Sequence, residues 1–243
     1  MCPLFADVTG VLMAKRPRRG LVKTRLYRRG PYTAEVAAEV AWEMLHCTAR
    51  RLAECGRLVL AVTPDGCGPE MARRLDIPLV RTVDQGAGDL GQRLSRVWRL
   101  VGTDRLVAFF GGDAPDVPEV ALGEIAPALG KTALAIGSTG DGGFWTLAGR
   151  SYQAAVFRGI DWGTSRVYDQ TCQRAAAAAL RVHQLPAWHD IDRPEDVQAL
   201  RQRLRNRAGH DLSGLIDDAP LRRLAERLDA LCSTNPPPRD LPL

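Results

Sequence analysis

Between Lys15 and Arg29 the chain places Lys15, Arg16, Arg18, Arg19, Lys23, Arg25, Arg28 and Arg29 with no acid among them and Gly20 in their midst. A Gly-containing loop lets backbone amides approach an anion, while Lys and Arg supply charge and forked donors for phosphate oxygens. The spacing of a Walker A loop, GxxxxGK[ST], is absent. A second group follows at Gly111-Gly112-Asp113-Ala114-Pro115-Asp116. Two carboxylates three residues apart beside glycines suit a hard divalent cation that also takes phosphate oxygens. The alternative is that Asp113 caps the next turn. A third group, Asp141-Gly142-Gly143-Phe144-Trp145, sets an acid and two glycines beside two aromatics. It reads as backbone pressed close to a ligand, with Gly142 and Gly143 at its phosphates, or as a plain turn. In the fourth, Asp190-Ile191-Asp192, alternation puts both acids on one side of an extended segment. There they could serve as a metal ligand or a general base. Glu195 and Asp196, beside Pro194, are accounted for by a helix start.

Other signals lead nowhere. Gly86-Ala87-Gly88-Asp89-Leu90-Gly91 matches GxGxxG, but it follows a short polar strand and reads poorly as a dinucleotide fingerprint. The histidines lack metal spacing, and no GxSxG elbow or activated cysteine offers an acyl-transfer nucleophile. Six scattered cysteines without a CxxC pair point to reduced thiols and a cytoplasmic protein. No apolar run approaches the roughly 18 residues of a membrane span, and the first apolar stretch precedes the basic residues, unlike a secretory signal. The net charge of +5 is modest but concentrated. Nucleic acid is a rival partner for residues 15–29, although only Tyr27 and Tyr32 interleave there. Arg201, Arg203, Arg205 and Arg207 form a further basic group that could be an ordinary solvated face.

These groups need elements to hold them. Apolar runs predict strands at Val8–Ala14, Leu58–Val62, Pro78–Val83, Arg105–Phe110, Thr132–Ile136, Phe144–Ala148 and Arg181–Leu185. Helical periodicity is expected over Thr33–Glu54 with Thr33 as N-cap, Pro69–Leu75, Asp89–Leu100, Val120–Leu129, Ser165–Leu180 and Pro194–Arg205. Such alternation implies an α/β fold with a mainly parallel sheet between helical layers. All four groups then fall at strand ends on one edge, where open sheets bind ligands. The expected division is a domain over 1–205, a helical extension over 206–234 and a disordered Pro-rich tail over 235–243. The helix near Pro220–Leu231 carries Leu221, Leu224, Leu228 and Leu231 as a stripe, to be buried on the main domain or in a homodimer.

The segments AKRPRRGLVKTRL, QGAGDLGQRL, GGDAPDVP, GDGGFWTLAG, FRGIDWGTSRVYDQT and DIDRPEDV together resemble the DUF2064, or selenodomain-associated transferase 1, family of GT-A-like glycosyltransferases. That family is similar to the nucleotide-diphospho-sugar transferase superfamily, so the resemblance implies a GT-A-like three-layer fold and transfer from a nucleotide-diphosphate-sugar donor. By this likeness Lys15, Gly20, Lys23 and Arg25 hold donor phosphates. Asp113 leads the Mg²⁺ or Mn²⁺ ligands and Asp192 matches a later metal-binding position, while the carboxylate spacing itself adds Asp116 as a ligand and leaves Asp141, Asp190 or Asp192 as the catalytic base. The partners expected are a nucleotide or nucleotide sugar and a small-molecule acceptor. Nucleotidyl transfer from an NTP to a phosphorylated small molecule is the rival enzyme reading. The chain departs from the family pattern at Gly112, often Ser, and at Asp161-Trp162-Gly163-Thr164, often Pro-Trp-Ser-Thr.

Overall fold

Alternating side chains along three adjacent strands set the architecture of the computed structural model, which describes residues 4–79, 81–207 and 217–233. On β1 (Phe5–Lys15), β2 (Gly56–Thr63) and β4 (Leu106–Gly111), Leu12, Leu58, Leu60 and Phe110 face one helical layer. Val11, Val59, Val107 and Phe109 face the other. The first layer holds α2 (Ala34–Cys55), α3 (Gly68–Leu75), α5 (Glu119–Gly123) and α6 (Ile125–Lys131). The second holds α4 (Leu90–Val101), a 3-10 turn at Ala154–Phe157 and α7 (Val167–Ala177), packed around Trp98. Strands buried on both faces make a three-layer sandwich.

The sheet has seven strands in the order β3-β2-β1-β4-β6-β5-β7, with β3 at Arg81–Asp84, β5 at Leu134–Thr139, β6 at Phe144–Gly149 and β7 at Val182–Trp188. All pairings are parallel except those of β6, which runs antiparallel to β4 and β5. The expected mainly parallel sheet is therefore present, made mixed by β6. From β1 the chain moves through β2 to β3 on one side, while β4 lies on the other. A crevice opens between the carboxyl ends of β1 and β4 for that reason.

One expectation changes in detail. The single helix expected over Val120–Leu129 is two, α5 and α6, because Pro127 can donate no N–H to Gly123 and its ring would crowd that carbonyl. The apolar residues of α2 serve two faces: Leu45 and Leu52 meet the sheet, whereas Val36, Val40, Met44 and Cys47 meet further helices. Those helices are α1 (Thr24–Arg28), α8 (Pro194–Arg207) and α9 (Ala219–Ser233). Leu221, Leu224 and Leu228 of α9 are buried on this face of α2, so its stripe is covered within one chain. The C-terminal arginines are not a free basic face. Arg201 and Arg205 pair with Asp229, Arg203 pairs with Asp116, and Arg207 lies 3.4 Å from Asp218. Residues 235–243, expected to be disordered, lie outside the described residues.

Candidate active site

The loop after β1 is stiffened by its own bonds. Leu21 N–H donates to Arg18 C=O at 3.0 Å, closing a turn whose third residue, Gly20, needs its φ of 75°. Lys15 Nζ donates to Leu21 C=O at 2.7 Å, and Tyr27 O–H to Gly20 C=O at 2.9 Å. Lys23 begins α1 with a left-handed φ of 45°, a conformation that costs a non-glycine residue about 1–2 kcal/mol. That backbone setting accompanies an inward side chain, only 5% exposed.

The Lys23 ammonium lies 2.7 Å from Asp113 Oδ1 and 3.1 Å from Asp192 Oδ1, and also donates to Ile191 C=O. Arg25 Nη1 reaches Asp192 Oδ2 at 2.9 Å. Burial alone would lower the Lys23 pKa and is the largest single influence. The Asp113 and Asp192 charges and hydrogen bonds together outweigh it, and the value ends above that of an ordinary lysine. Asp113 and Asp192 meet because Ile191 N–H donates to Asp113 C=O at 2.9 Å, tying the segment after β7 to the end of β4. Asp196 Oδ2 accepts from the N–H groups of Asp192 and Arg193 at 3.0 and 2.7 Å, fixing the entry to α8.

A cleft with two joined lobes surrounds this ion-pair knot. The smaller, about 300 Å³, lies between the basic loop, the ends of β1 and β4, and Ala41 and Leu45 of α2. The larger, about 600 Å³, is walled by the β5–β6 turn, Phe144, residues 163–165 and Asp190. Gly111, Asp113 and Asp192 border both lobes. In the larger one Asp141 Oδ1 accepts from Thr139 Oγ1 at 2.7 Å and Gly143 N–H at 2.9 Å. Burial first, then the charge of Asp141, raises the Asp190 pKa.

The structure thus brings Lys15, Lys23, Arg25, Asp113 and Asp192 together, with Asp141 and Asp190 in the adjoining lobe. Asp116 stands elsewhere. It is 3% exposed, its carboxylate receives Arg203 Nε at 2.7 Å and Trp188 Nε1 at 3.1 Å, and it borders neither lobe. The metal-ligand expectation for Asp116 is corrected accordingly: the turn after Asp113 carries it to the opposite side. The phosphate role of Gly142 and Gly143 changes as well. Gly142, at φ 87°, lies so close to Ser165 that a Cβ would come 2.0 Å from its carbonyl oxygen. The Gly143 N–H is already given to Asp141. Their glycines serve a tight turn and helix docking, on the side of the cleft away from the basic loop.

No group of three or more His, Cys, Asp or Glu arranged for a metal ion occurs among the described residues. Asp113 and Asp192 nevertheless aim oxygens at one cationic atom. One or two carboxylates joined by substrate phosphates are an ordinary Mg²⁺ donor set, so the residues fit such an ion with a phosphate ligand present. Sequence reasoning missed Arg51, whose buried guanidinium donates to Pro115 and Val117 C=O at 2.7 Å each and holds the loop beyond Asp113. It also missed Thr139, Thr164 and Ser165 in the larger lobe. A cationic residue on an otherwise apolar face of α2 was the available signal for Arg51. The dinucleotide-like glycines resolve into a helix start, with Asp89 and Gln92 forming a reciprocal capping box for α4.

The seven-stranded, mainly parallel sheet, with a basic loop and acids at its switch point, has the fold of nucleotide-diphospho-sugar transferases. A family model described as an uncharacterized protein conserved in bacteria, DUF2064, matches residues 46–164, and the resemblance read from the sequence agrees with it. Among solved structures, a provisionally named nucleotide-diphospho-sugar transferase from Desulfovibrio desulfuricans G20 is 28% identical. It aligns with a TM-score of 0.79 over 94% of this chain and 98% of its own. A nucleotidyl transferase from Methanothermobacter thermautotrophicus shares the fold at 18% identity and a TM-score of 0.54, over 82% of this chain and 99% of its own. So does 4-diphosphocytidyl-2C-methyl-D-erythritol synthase from Anaerococcus prevotii, at 13% identity and 0.53, over 82% and 96%. Among curated proteins, none matches the chain. No described helix is long and apolar enough to cross a membrane.

Proposed function

We propose that this chain transfers a glycosyl group from a nucleotide-diphosphate-sugar donor to a small-molecule acceptor, with Mg²⁺ or Mn²⁺. The observation that carries the reading is the convergence of Lys23 and Arg25 with Asp113 and Asp192 at the switch point, between two joined lobes. The 28% identical neighbour named for that donor class, matched over nearly its whole length, supports it. Lys15, Lys23 and Arg25 would bind the diphosphate, and Lys23 would exchange a carboxylate for a phosphate oxygen as the donor arrives. Asp113 and Asp192 would hold the cation. When bound, it would neutralise charge developing on the leaving diphosphate, the place where fixed electrostatics contribute most.

In the transfer, the bond from the anomeric carbon to the diphosphate oxygen breaks as an acceptor oxygen bonds to that carbon. The acceptor's proton passes to a carboxylate of the larger lobe. Asp190 is assigned this role over Asp141, because Asp141 Oδ1 is already held by two donors, whereas burial and the neighbouring Asp141 charge favour proton uptake by Asp190. Nucleotidyl transfer is the second reading, favoured by the density of cations between Lys15 and Arg25. Nucleic-acid binding is less well supported, since Arg16 and Arg19 pair with Glu70 and Glu35.

Thermal shifts with nucleotides and nucleotide sugars, with and without Mn²⁺, test donor binding, since a ligand of the folded state raises its melting temperature. Release of a nucleoside diphosphate is expected; release of pyrophosphate from an NTP would replace the first reading with the second. Asp113→Ala should remove the metal-dependent part of the shift with the fold intact. An unchanged metal-enhanced shift in that variant would refute the cation assignment.

A further inference from the structure

We propose that the larger lobe takes a hydroxyl-rich acceptor that carries no phosphate. The inference rests on the transferase reading above and names its second substrate class. At about 600 Å³ the lobe is roomy enough for a small saccharide or polyol, and it opens directly onto Asp113 and Asp192, beside the phosphate loop. Its polar wall consists mostly of hydrogen-bond acceptors. Asp141 and Asp190 face it without a cationic partner among the described residues. The Thr139 hydroxyl spends its proton on Asp141, and the Thr164 hydroxyl spends its own on Asp161 C=O at 2.8 Å while accepting from Arg166 N–H at 3.3 Å, so neither has a proton left for a ligand.

Each of the two exposed cations that border the lobe has a carboxylate beside it. Arg25 is paired with Asp192, and Arg193 lies 3.8 Å from Glu195. A ligand that satisfies such a wall must bring donors, as several hydroxyls do. A phosphate monoester brings acceptors and negative charge, which an uncompensated pair of carboxylates repels. Phe144, half-buried on one side, adds an apolar surface of the kind a sugar ring covers with its C–H face. The cleft is thereby divided: Lys15 and Lys23 serve phosphate in the smaller lobe, Arg25 reaches it beside Asp192, which both lobes share, and the acceptors of the larger lobe serve hydroxyls.

Saturation-transfer NMR on the full chain tests this with paired ligands at neutral pH: glycerol and glycerol phosphate, glucose and glucose phosphate, inositol and inositol phosphate. Saturating pyrophosphate and Mg²⁺ are present throughout to occupy the smaller lobe. At least one free polyol should bind with an affinity about tenfold or more above that of its phosphate ester, the scale expected from like-charge rejection. In Asp141→Asn/Asp190→Asn the polyol should weaken and the gap should close. A tighter phosphate ester in the wild type, no binding by either member of every pair, or a gap unchanged in the double variant would each overturn the proposal. Pyrophosphate binding is measured first. Its absence sinks the donor site, whereas failure of the polyols with pyrophosphate bound sinks only the acceptor class.

Discussion

Replacing Asp116 separates a structural carboxylate from the candidate metal ligand three residues before it. Asp116 is 3% exposed and receives hydrogen bonds from Arg203 Nε, Arg203 Nη2 and Trp188 Nε1. Asp116→Ala leaves a guanidinium and an indole N–H without their acceptor. Breaking a buried pair on one side costs about 3–5 kcal/mol, and the lower end applies because Arg203, 28% exposed, can recover some water. For a chain of this size about 3 kcal/mol lowers the melting temperature by about 6–12 °C. Asp113, by contrast, is 59% exposed, and its partner Lys23 keeps Asp192 and Ile191 C=O. Asp113→Ala should therefore cost about 1 kcal/mol, because the exposed carboxylate gains little from the pair and Lys23 keeps its two other acceptors. Urea unfolding and thermal melts of both variants, with Mn²⁺ binding followed by electron paramagnetic resonance, form the assay. Adding Arg203→Ala to Asp116→Ala should cost little more, since the pair is already broken. The reasoning fails if Asp116→Ala melts like the wild type yet loses Mn²⁺, or if the two single variants are equally destabilised.

Lys23→Ala should bind Mn²⁺ more tightly than the wild type in the absence of nucleotide, because Asp113 and Asp192 lose their internal cation, yet bind nucleoside diphosphates about 1–3 kcal/mol more weakly. Loss of both affinities would mean that Lys23 acts through the fold. Leu228→Ala, at a fully buried position of α9, should cost about 2–5 kcal/mol by urea unfolding; a loss under 1 kcal/mol would show α9 to be weakly docked. Hydrogen bonding from Arg205, partly opposed by burial and reinforced by Arg201, holds the Asp229 carboxyl below its ordinary pKa. A depressed value stabilises the fold above the ordinary aspartate pKa of about 3.9 and loses that effect as pH falls through the lower folded value. The stability gap between wild type and Asp229→Asn should therefore shrink in acid, and a gap independent of pH would assign Asp229 a packing role instead.

The sequence was most informative where a local rule governs. Thr33 caps α2 as its hydroxyl and position suggest, accepting from Val36 N–H at 3.3 Å, and the strand-end placement of the four motifs follows from alternation alone. Strand direction was less accessible. Four residues between Thr139 and Phe144 are too few for a crossover helix, so the antiparallel course of β6 was implicit in loop length but not in the apolar pattern. The separate fates of Asp113 and Asp116 were not readable. What distinguishes them is Arg203 and Trp188, more than seventy residues away in sequence and delivered by β7 and α8. Likewise, nothing near Lys23 announces that its charge partners come from the ends of β4 and β7.

Because β6 runs against its neighbours, the rim of the larger lobe belongs in part to a hairpin tip instead of a strand-to-helix crossover. A crossover loop cannot change length without shifting the helix it feeds. A hairpin tip can, and each doubling of a flexible loop costs only about 0.6 kcal/mol. One position in this tip is unencumbered: Gly140 is exposed, its φ lies outside the left-handed range, and a Cβ there would meet nothing within 4 Å. Its neighbour Gly142 is locked against Ser165 and anchors the tip from the other side. Residue 140 is thus a foothold for variation. A side chain or short insertion there can reshape the mouth of the lobe while the sheet, the ion-pair knot and the basic loop keep their places.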